Sequence, residues 1–341
     1  MEKSYSDILQ GLEKKPDRKL NDHVLIVDSM NTFIRSFAML QSINPQGHHT
    51  GGLVGFLRST GYLTRIIDPT RVICVFDGAG STINRKSMNP DYKATRNNKR
   101  ITNWELFDDK DDEFASMTMQ MHRLVEYLQC LPLTLISIDK VEADDVISYL
   151  AQGFASKGKK VTIVSSDKDF LQIVQGDLQV YSPIKKKMYT QTEIFAEIGV
   201  IPQNYLIMKA LLGDDSDNLS GVKGLGPKTL LKEFPRIVDD PNFELSDIYD
   251  ICEQKLKTKK IFAQIVYDWD KVKLNYEMMN LFEPKLSEEE ILHILDKIAA
   301  PTPPLQIIPF MHMLESDQIE ALNKNVEGWL ETFRPLSTYQ K

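Results

Sequence analysis

Acidic side chains recur in this sequence where a solvated surface has no need of them. Asp28, Asp77 and Asp167 each close a short apolar run, over residues 23–28, 71–77 and 160–167. Asp169 follows Asp167 after one residue, and two dense groups, Glu142-Ala-Asp-Asp145 and Asp214-Asp-Ser-Asp217, complete the set. Carboxylates at this density repel one another and raise each other's pKa unless a cation sits among them. Hard oxygen donors suit Mg²⁺, with Mn²⁺ as a substitute. Two such ions roughly 3.5–4 Å apart can activate a water and stabilise the leaving oxygen of a phosphodiester. Any one Asp is more ordinarily a surface charge or a cap, as Asp169 before Phe170 could be. The set resists that reading, because several of its members end strands that must be neighbours. An aspartyl phosphatase would place an Asp-x-Asp pair after its first strand; Ser29 and Met30 follow Asp28, which sets that chemistry aside.

A second feature lies just beyond Asp217. Gly221-Val-Lys-Gly-Leu-Gly-Pro-Lys-Thr229 combines glycines that allow close backbone approach with Pro227, which suits the first turn of a helix. Amides at that helix start, with Lys228 and Thr229, could hold a phosphate. The spacing is not that of a Walker motif; a plain tight turn between helices is the alternative, but the adjacency of Asp214 and Asp217 argues that the turn serves the same substrate. A third feature is the stretch between Gly78 and Phe114, which has little apolar periodicity. Its first part carries Arg85, Lys86, Lys93, Arg96, Lys99 and Arg100, and its end carries Asp108, Asp109, Asp111, Asp112 and Glu113. A segment this long without an apolar face is functional or disordered.

The elements that must position these residues alternate. Strand-like runs over 23–28, 71–77, 133–138 and 160–167 are interleaved with helical periodicity over 53–67, 114–130 and 143–154. This alternation predicts an α/β fold with a central, mostly parallel sheet flanked by helices, and such sheets bind ligands beyond the carboxyl ends of their strands. From about residue 191 the chain reads as helical, with helices over 202–212, 227–234 and 287–298. Thr302-Pro-Pro304 marks a break, and a final amphipathic stretch follows over 315–333. The organisation expected is an extension over 1–22, an α/β domain over 23–190 and a helical portion over 191–341.

The chain has no apolar run long enough for a bilayer, its first residues lack the apolar core of a signal peptide, and its three cysteines are far apart. A cytoplasmic protein with reduced thiols, monomeric and without a membrane partner, is the expectation.

In this order, Val27-Asp28-Ser29, Phe76-Asp77-Gly78, Tyr92-Lys93 with Arg96, Glu142-Ala-Asp-Asp145, Ser166-Asp167-Lys-Asp169 and Gly213-Asp-Asp-Ser-Asp-Asn218 running into the glycine-rich turn resemble the flap endonuclease and 5′–3′ exonuclease family. The resemblance spans about residues 24–229, and within the family the chain looks most like the stand-alone phage ribonuclease H of T-even type. It implies a PIN-like 5′ nuclease fold and a first metal site of Asp28, Asp77, Glu142 and Asp144. It also implies a second metal site of Asp145, Asp167, Asp169, Asp214 and Asp217, partly through waters. The turn at 221–229 then corresponds to a helix–turn–helix variant that grips duplex DNA through Lys223, Gly224, Gly226, Lys228 and Thr229 and can bind K⁺. Residues 79–113 correspond to a helical arch, Arg85, Lys86 and Tyr92 to nucleic-acid contacts, and Lys93 and Arg96 to the basic pair at the scissile phosphate. The dense acids at the end of the arch depart from the family pattern.

The net charge of −7 is compatible with such a partner: the nine proposed ligands carry −9, which leaves +2 on the rest of the chain. The remaining Lys and Arg can then meet phosphates. The activity expected is 5′–3′ exonuclease, flap endonuclease and ribonuclease H cleavage of branched or nicked duplex DNA and RNA–DNA hybrids in DNA replication. A DNA-binding protein without catalysis would lack some of the acids, and a single-strand ribonuclease of PIN-like type would have no use for the turn at 221–229. The final stretch over 315–333 either packs on its own domain or docks a single-strand-binding protein or sliding clamp.

Overall fold

The computed structural model describes residues 18–94, 105–320, 322 and 324–339. Its centre is a six-stranded sheet of β1 (His23–Asp28), β2 (Arg71–Phe76), β3 (Thr134–Ser137), β4 (Lys160–Val164), β5 (Leu178–Ser182) and β6 (Lys187–Tyr189) in the order β3-β2-β1-β4-β5-β6. The first five strands are parallel and β6 closes the edge as an antiparallel hairpin partner of β5. Helices α1 (Ser29–Met39), α2 (Gly51–Ile67), α3 (Ile83–Met88), α4 (Lys110–Gln129) and α5 (Ala143–Ala155) fall between the first four strands. The sequence reading omits α1, β5 and β6.

Every residue of β1 and β2 is buried, and the pleat sends alternate side chains into two separate cores. Val24 and Ile26 join Val146, Ile147 and Leu150 of α5 in one. Leu25 and Val27 join Phe33 of α1, Phe56 and Leu57 of α2, and Leu124 and Leu128 of α4 in the other. Neither core stops at residue 190. The first continues through α6 (Gln191–Ile198), α7 (Pro202–Leu212) and α8 (Pro227–Glu233). It extends further into α9 (Leu245–Gln254), α10 (Lys260–Tyr267), α11 (Trp269–Met279) and α12 (Glu288–Ala299). The second takes in Phe310 and Leu314 of α13 (Ile307–Ser316) and Trp329 and Leu330 of α14 (Val326–Glu331). Arg71, 1% exposed, ties the sheet to α12 by donating to the Ile298 carbonyl at 2.9 Å and the Thr134 hydroxyl at 2.9 Å.

Two expectations are corrected. The stretch over 315–333 is not one helix. Asp317 ends α13 by accepting from Arg123 Nε at 2.7 Å and from the Tyr127 hydroxyl at 2.8 Å, and Gln318 then turns with φ +52°. Ile319, Leu322 and Trp329 are buried, so this segment packs on its own chain. The acids at the end of the expected arch belong to α4: Asp109 caps it, accepting the Asp112 amide at 2.8 Å, and Asp111, Asp112 and Glu113 fill its first turn. Negative charge there opposes the positive end of the helix dipole.

Gly61 on α2 allows the closing contact with the C-terminal segment, because a Cβ there would lie 2.1 Å from the Trp329 indole nitrogen. Overpacking of this kind costs about 1–3 kcal/mol, against a gain of about 1 kcal/mol in helix propensity. Gly61→Ala is expected to lower the urea midpoint and to alter Trp329 fluorescence in the native state. An unchanged midpoint would show that the indole moves aside without loss.

Candidate active site

Strand order reverses beside β1: β2 and β3 lie on one side, β4 and β5 on the other. In open parallel sheets the crevice beyond the strands at such a reversal is where ligands bind. Asp28 ends β1 at that crevice. It caps α1 by accepting the Asn31 amide at 3.1 Å and accepts the Ser165 hydroxyl at 2.7 Å from just past β4. Ser165 Oγ accepts the Asp167 amide at 2.9 Å, and the Asp167 carboxylate accepts the Asp169 amide at 2.8 Å. Asn31 Oδ1 accepts the Ser166 amide at 3.1 Å. The loops after β1 and β4 are thus laced together with Asp28, Asp167 and Asp169 in one place.

Asp77, just past β2, accepts the Ala143 amide at 2.9 Å and so fixes the start of α5. Glu142 is the N-cap position of that helix, and Asp144 and Asp145 lie in its first turn. Burial pushes the Asp28 carboxyl up to about 7, with Asp167 and Asp77 adding to the effect against the bonds from Ser165 and Asn31. Burial also raises Asp144 well above the usual carboxylate range, with Asp167 and Asp28 as its charged neighbours. Asp169 is pushed up to about 7, by burial first and then by Asp167. These mutual effects make Asp28, Asp77, Asp144, Asp167 and Asp169 one electrostatic unit short of positive charge.

Asp214 enters from the helical half. Gly213 has φ +80°, and a Cβ there would lie 2.3 Å from the Gly221 amide; this pinch ends α7 and opens the short ladder of β7 (Gly213–Asp214) with β8 (Leu219–Ser220). Asp214 Oδ1 accepts the Ser216 amide at 2.8 Å and the Ser216 hydroxyl at 2.6 Å. Its Oδ2 accepts Lys209 Nζ at 2.7 Å, and the same ammonium pairs with Asp169 Oδ1. Burial pushes Asp214 up, but Lys209 and Ser216 outweigh it and hold the group at about 2. Asp214, Asp169, Asp167, Asn31 and Lys209 line a cleft of about 590 Å³.

One acid is placed differently from the expectation. Asp145 does not join Asp167, Asp169 and Asp214. It pairs with Arg85, Nη1 to Oδ2 at 3.1 Å, and accepts the Lys285 amide at 3.1 Å. Arg85 also pairs with Glu142 and donates Nε to the Met278 carbonyl at 3.2 Å. At 5% exposure, with its guanidinium spent on two carboxylates, Arg85 cannot meet a nucleic acid. Tyr92 is corrected likewise: its ring is buried with Leu206, Leu219, Met278 and Met279, and its hydroxyl donates to Glu142 Oε2 at 3.3 Å. Lys93 does reach the cluster, with Nζ 2.8 Å from Glu142 Oε1 and φ +55°. Its amide donates to the Asp217 carbonyl at 3.1 Å, which places Asp217 beside the turn that carries Lys93. Arg96 lies outside the described residues. Lys86, Lys223, Gly224 and Lys228 are exposed, and Gly226 and Thr229 are half-buried on the turn before α8.

Sequence reasoning missed Lys209, Ser165 and Asn31. Lys209 carried a signal, since it is the one cation in the apolar run of residues 204–212 that leads into Asp214. Among the described residues no three His, Cys, Asp or Glu side chains close into a ready-made metal cage; cations and amides hold the carboxylate oxygens instead.

The geometry has counterparts in known proteins. A family model described as the 5′–3′ exonuclease N-terminal resolvase-like domain matches residues 23–199. A 5′–3′ exonuclease of Aquifex aeolicus is 29% identical over 270 residues, covering 78% of this chain and 85% of that one. A 5′–3′ exonuclease of Bacillus subtilis is 32% identical over 229 residues, covering 64% and 72%. A bacteriophage T5 flap endonuclease, solved with DNA and metal ions, shares the fold with a TM-score of 0.61 at 19% identity, over 87% of this chain and 99% of that one. With its acids gathered at the crevice of that same fold, the chain belongs to the 5′–3′ exonuclease family and is a nuclease that hydrolyses phosphodiester bonds.

Proposed function

We propose that this nuclease is divalent-metal-dependent and cuts near the 5′ ends of RNA–DNA and DNA–DNA duplexes and at flaps, as primer removal in DNA replication requires. The observation that carries the reading is the deficit of positive charge where Asp28, Asp144, Asp167 and Asp169 meet in the crevice. Carboxylates packed this closely, with Asp28, Asp144 and Asp169 held above their ordinary range and all hard oxygen donors, fit Mg²⁺ or Mn²⁺. Asp28, Asp77, Glu142 and Asp144 would hold one ion, and Asp167, Asp169, Asp214 and Asp217 the other, partly through waters. When bound, the ions supply a water of lowered pKa and offset charge on the leaving oxygen.

The chain's own residues do the rest. Lys93, on a turn fixed by Asp217, would leave Glu142 to meet charge on the scissile phosphate, and Arg96 would share that role. Arg85 keeps Glu142 in place while Lys93 is away. Exposed Lys86, Lys223 and Lys228 would grip the backbone, with Thr229 and the amides of Gly224 and Gly226 on the turn. Carbonyls of that turn would take K⁺.

Three outcomes are expected. With 5′-labelled flap, nicked and RNA-primed substrates, cleavage proceeds in Mg²⁺ and stops in chelator; cleavage that persists in chelator would sink the metal reading. Asp167→Asn, because it sits at the centre of the cluster, lowers turnover by more than about a hundredfold, beyond what residues that only support ligands cost, while duplex binding stays measurable. Normal turnover by that variant would remove Asp167 from the chemistry. Lys93→Ala slows single-turnover cleavage by about a hundredfold and weakens binding far less; equal losses would reduce Lys93 to a docking residue.

A further inference from the structure

Lys209 is a cation of the crevice that the proposed chemistry leaves unused. It stands on α7, at 8% exposure, with its ammonium between Asp169 Oδ1 and Asp214 Oδ2. Its side chain is nearly enclosed, and both carboxylates pair with the one nitrogen. The other oxygen of Asp214 is already taken twice, by the Ser216 amide and hydroxyl at 2.8 and 2.6 Å. A divalent ion that bridges Asp169 Oδ1 and Asp214 Oδ2, at metal–oxygen distances of about 2.1 Å, would stand where the ammonium that now joins them sits.

We infer that Lys209 is a resident counter-ion of the second half of the acid cluster, and that a divalent ion enters between Asp169 and Asp214 by exchange with its ammonium. The inference rests on the metal reading above. The lysine keeps the two carboxylates together and charged while no metal is bound. The cleft of about 590 Å³ beside it gives the displaced side chain somewhere to go. Lys209 is thus a positioning residue, and it sets how strongly the weaker divalent ion is held.

The test compares wild type, Lys209→Met and Lys209→Arg as full-length proteins. Mn²⁺ binding is followed by electron paramagnetic resonance and calorimetry, and melting is followed in chelator and in Mn²⁺. Lys209→Met removes the competitor, so the weaker Mn²⁺ affinity should rise by about tenfold or more. Its melting temperature should fall in chelator and recover in Mn²⁺, because two buried carboxylates then lack their cation. Lys209→Arg keeps the charge and can hold the carboxylates bidentately, so the same affinity should fall while the melting temperature in chelator is kept. The Arg variant carries the test alone if the Met variant does not fold without metal. A weaker affinity that is unchanged in both variants, or lower in Lys209→Met, overturns the exchange. Failure of wild type to bind Mn²⁺ would instead overturn the metal reading itself.

Discussion

Concentrated like charge at one edge of a parallel sheet is the constraint that the rest of this structure answers. Asp28 is buried, and Asp144 and Asp169 are half-buried beside it among other carboxylates, which alone would favour their neutral forms. The fold sets cations against them from elements outside the sheet. Arg85, on α3, holds Glu142 and Asp145; Lys93 holds Glu142; Lys209, on α7, holds Asp169 and Asp214. Loss of one partner from a buried pair costs roughly 3–5 kcal/mol, so these cations matter to folding. Serine and backbone amides take much of what remains, through Ser165, Ser216 and the first turn of α5.

Topology explains why the charge collects there. With the order β3-β2-β1-β4-β5-β6, the loops after β1 and β4 face each other across the reversal of the sheet. The register aligns Val27 with both Cys74 and Val164, so the three central strands end nearly level. Asp28, Asp77 and Asp167 follow from those ends. The same registers bury β1 on both faces, so the position of Asp28 is fixed by two cores at once. A shift of one residue would exchange the side chains between them.

The sheet, the carboxylates at its strand ends and the helices over 53–67, 143–154 and 202–212 were legible because each carries a periodic apolar pattern or a closing acid. What escaped has a physical reason in each case. Helix α1 starts within the Asp28 motif and carries Asn31 and Arg35 among its apolar residues, which blurs its stripe. The β5–β6 hairpin has strands of five and three residues, too short to show alternation clearly. Arg85 and Tyr92 read as surface groups because a basic, weakly periodic stretch gives no sign that its cation turns inward. Asp145 shares a motif with Glu142 and Asp144, but successive residues of a helix point about 100° apart, so the three could not all face one centre. Lys209 was hidden by its setting, one charge in an apolar helix.

The site is not the property of the α/β half alone. The family match ends at residue 199, yet Lys209 and Asp214 come later, and so do the Lys285 amide that holds Asp145 and the Met278 carbonyl that holds Arg85. Asn275 of α11 fastens the same region by donating to the Ala210 carbonyl at 3.1 Å and the Ser220 carbonyl at 3.0 Å, so that α7 and β8 move together. The turn carrying Lys223 and Lys228 follows β8 directly. The turn is thus joined to Asp214 by a few residues of backbone and by one buried asparagine that holds α7 and β8. The helical half positions the acid cluster as much as the sheet does.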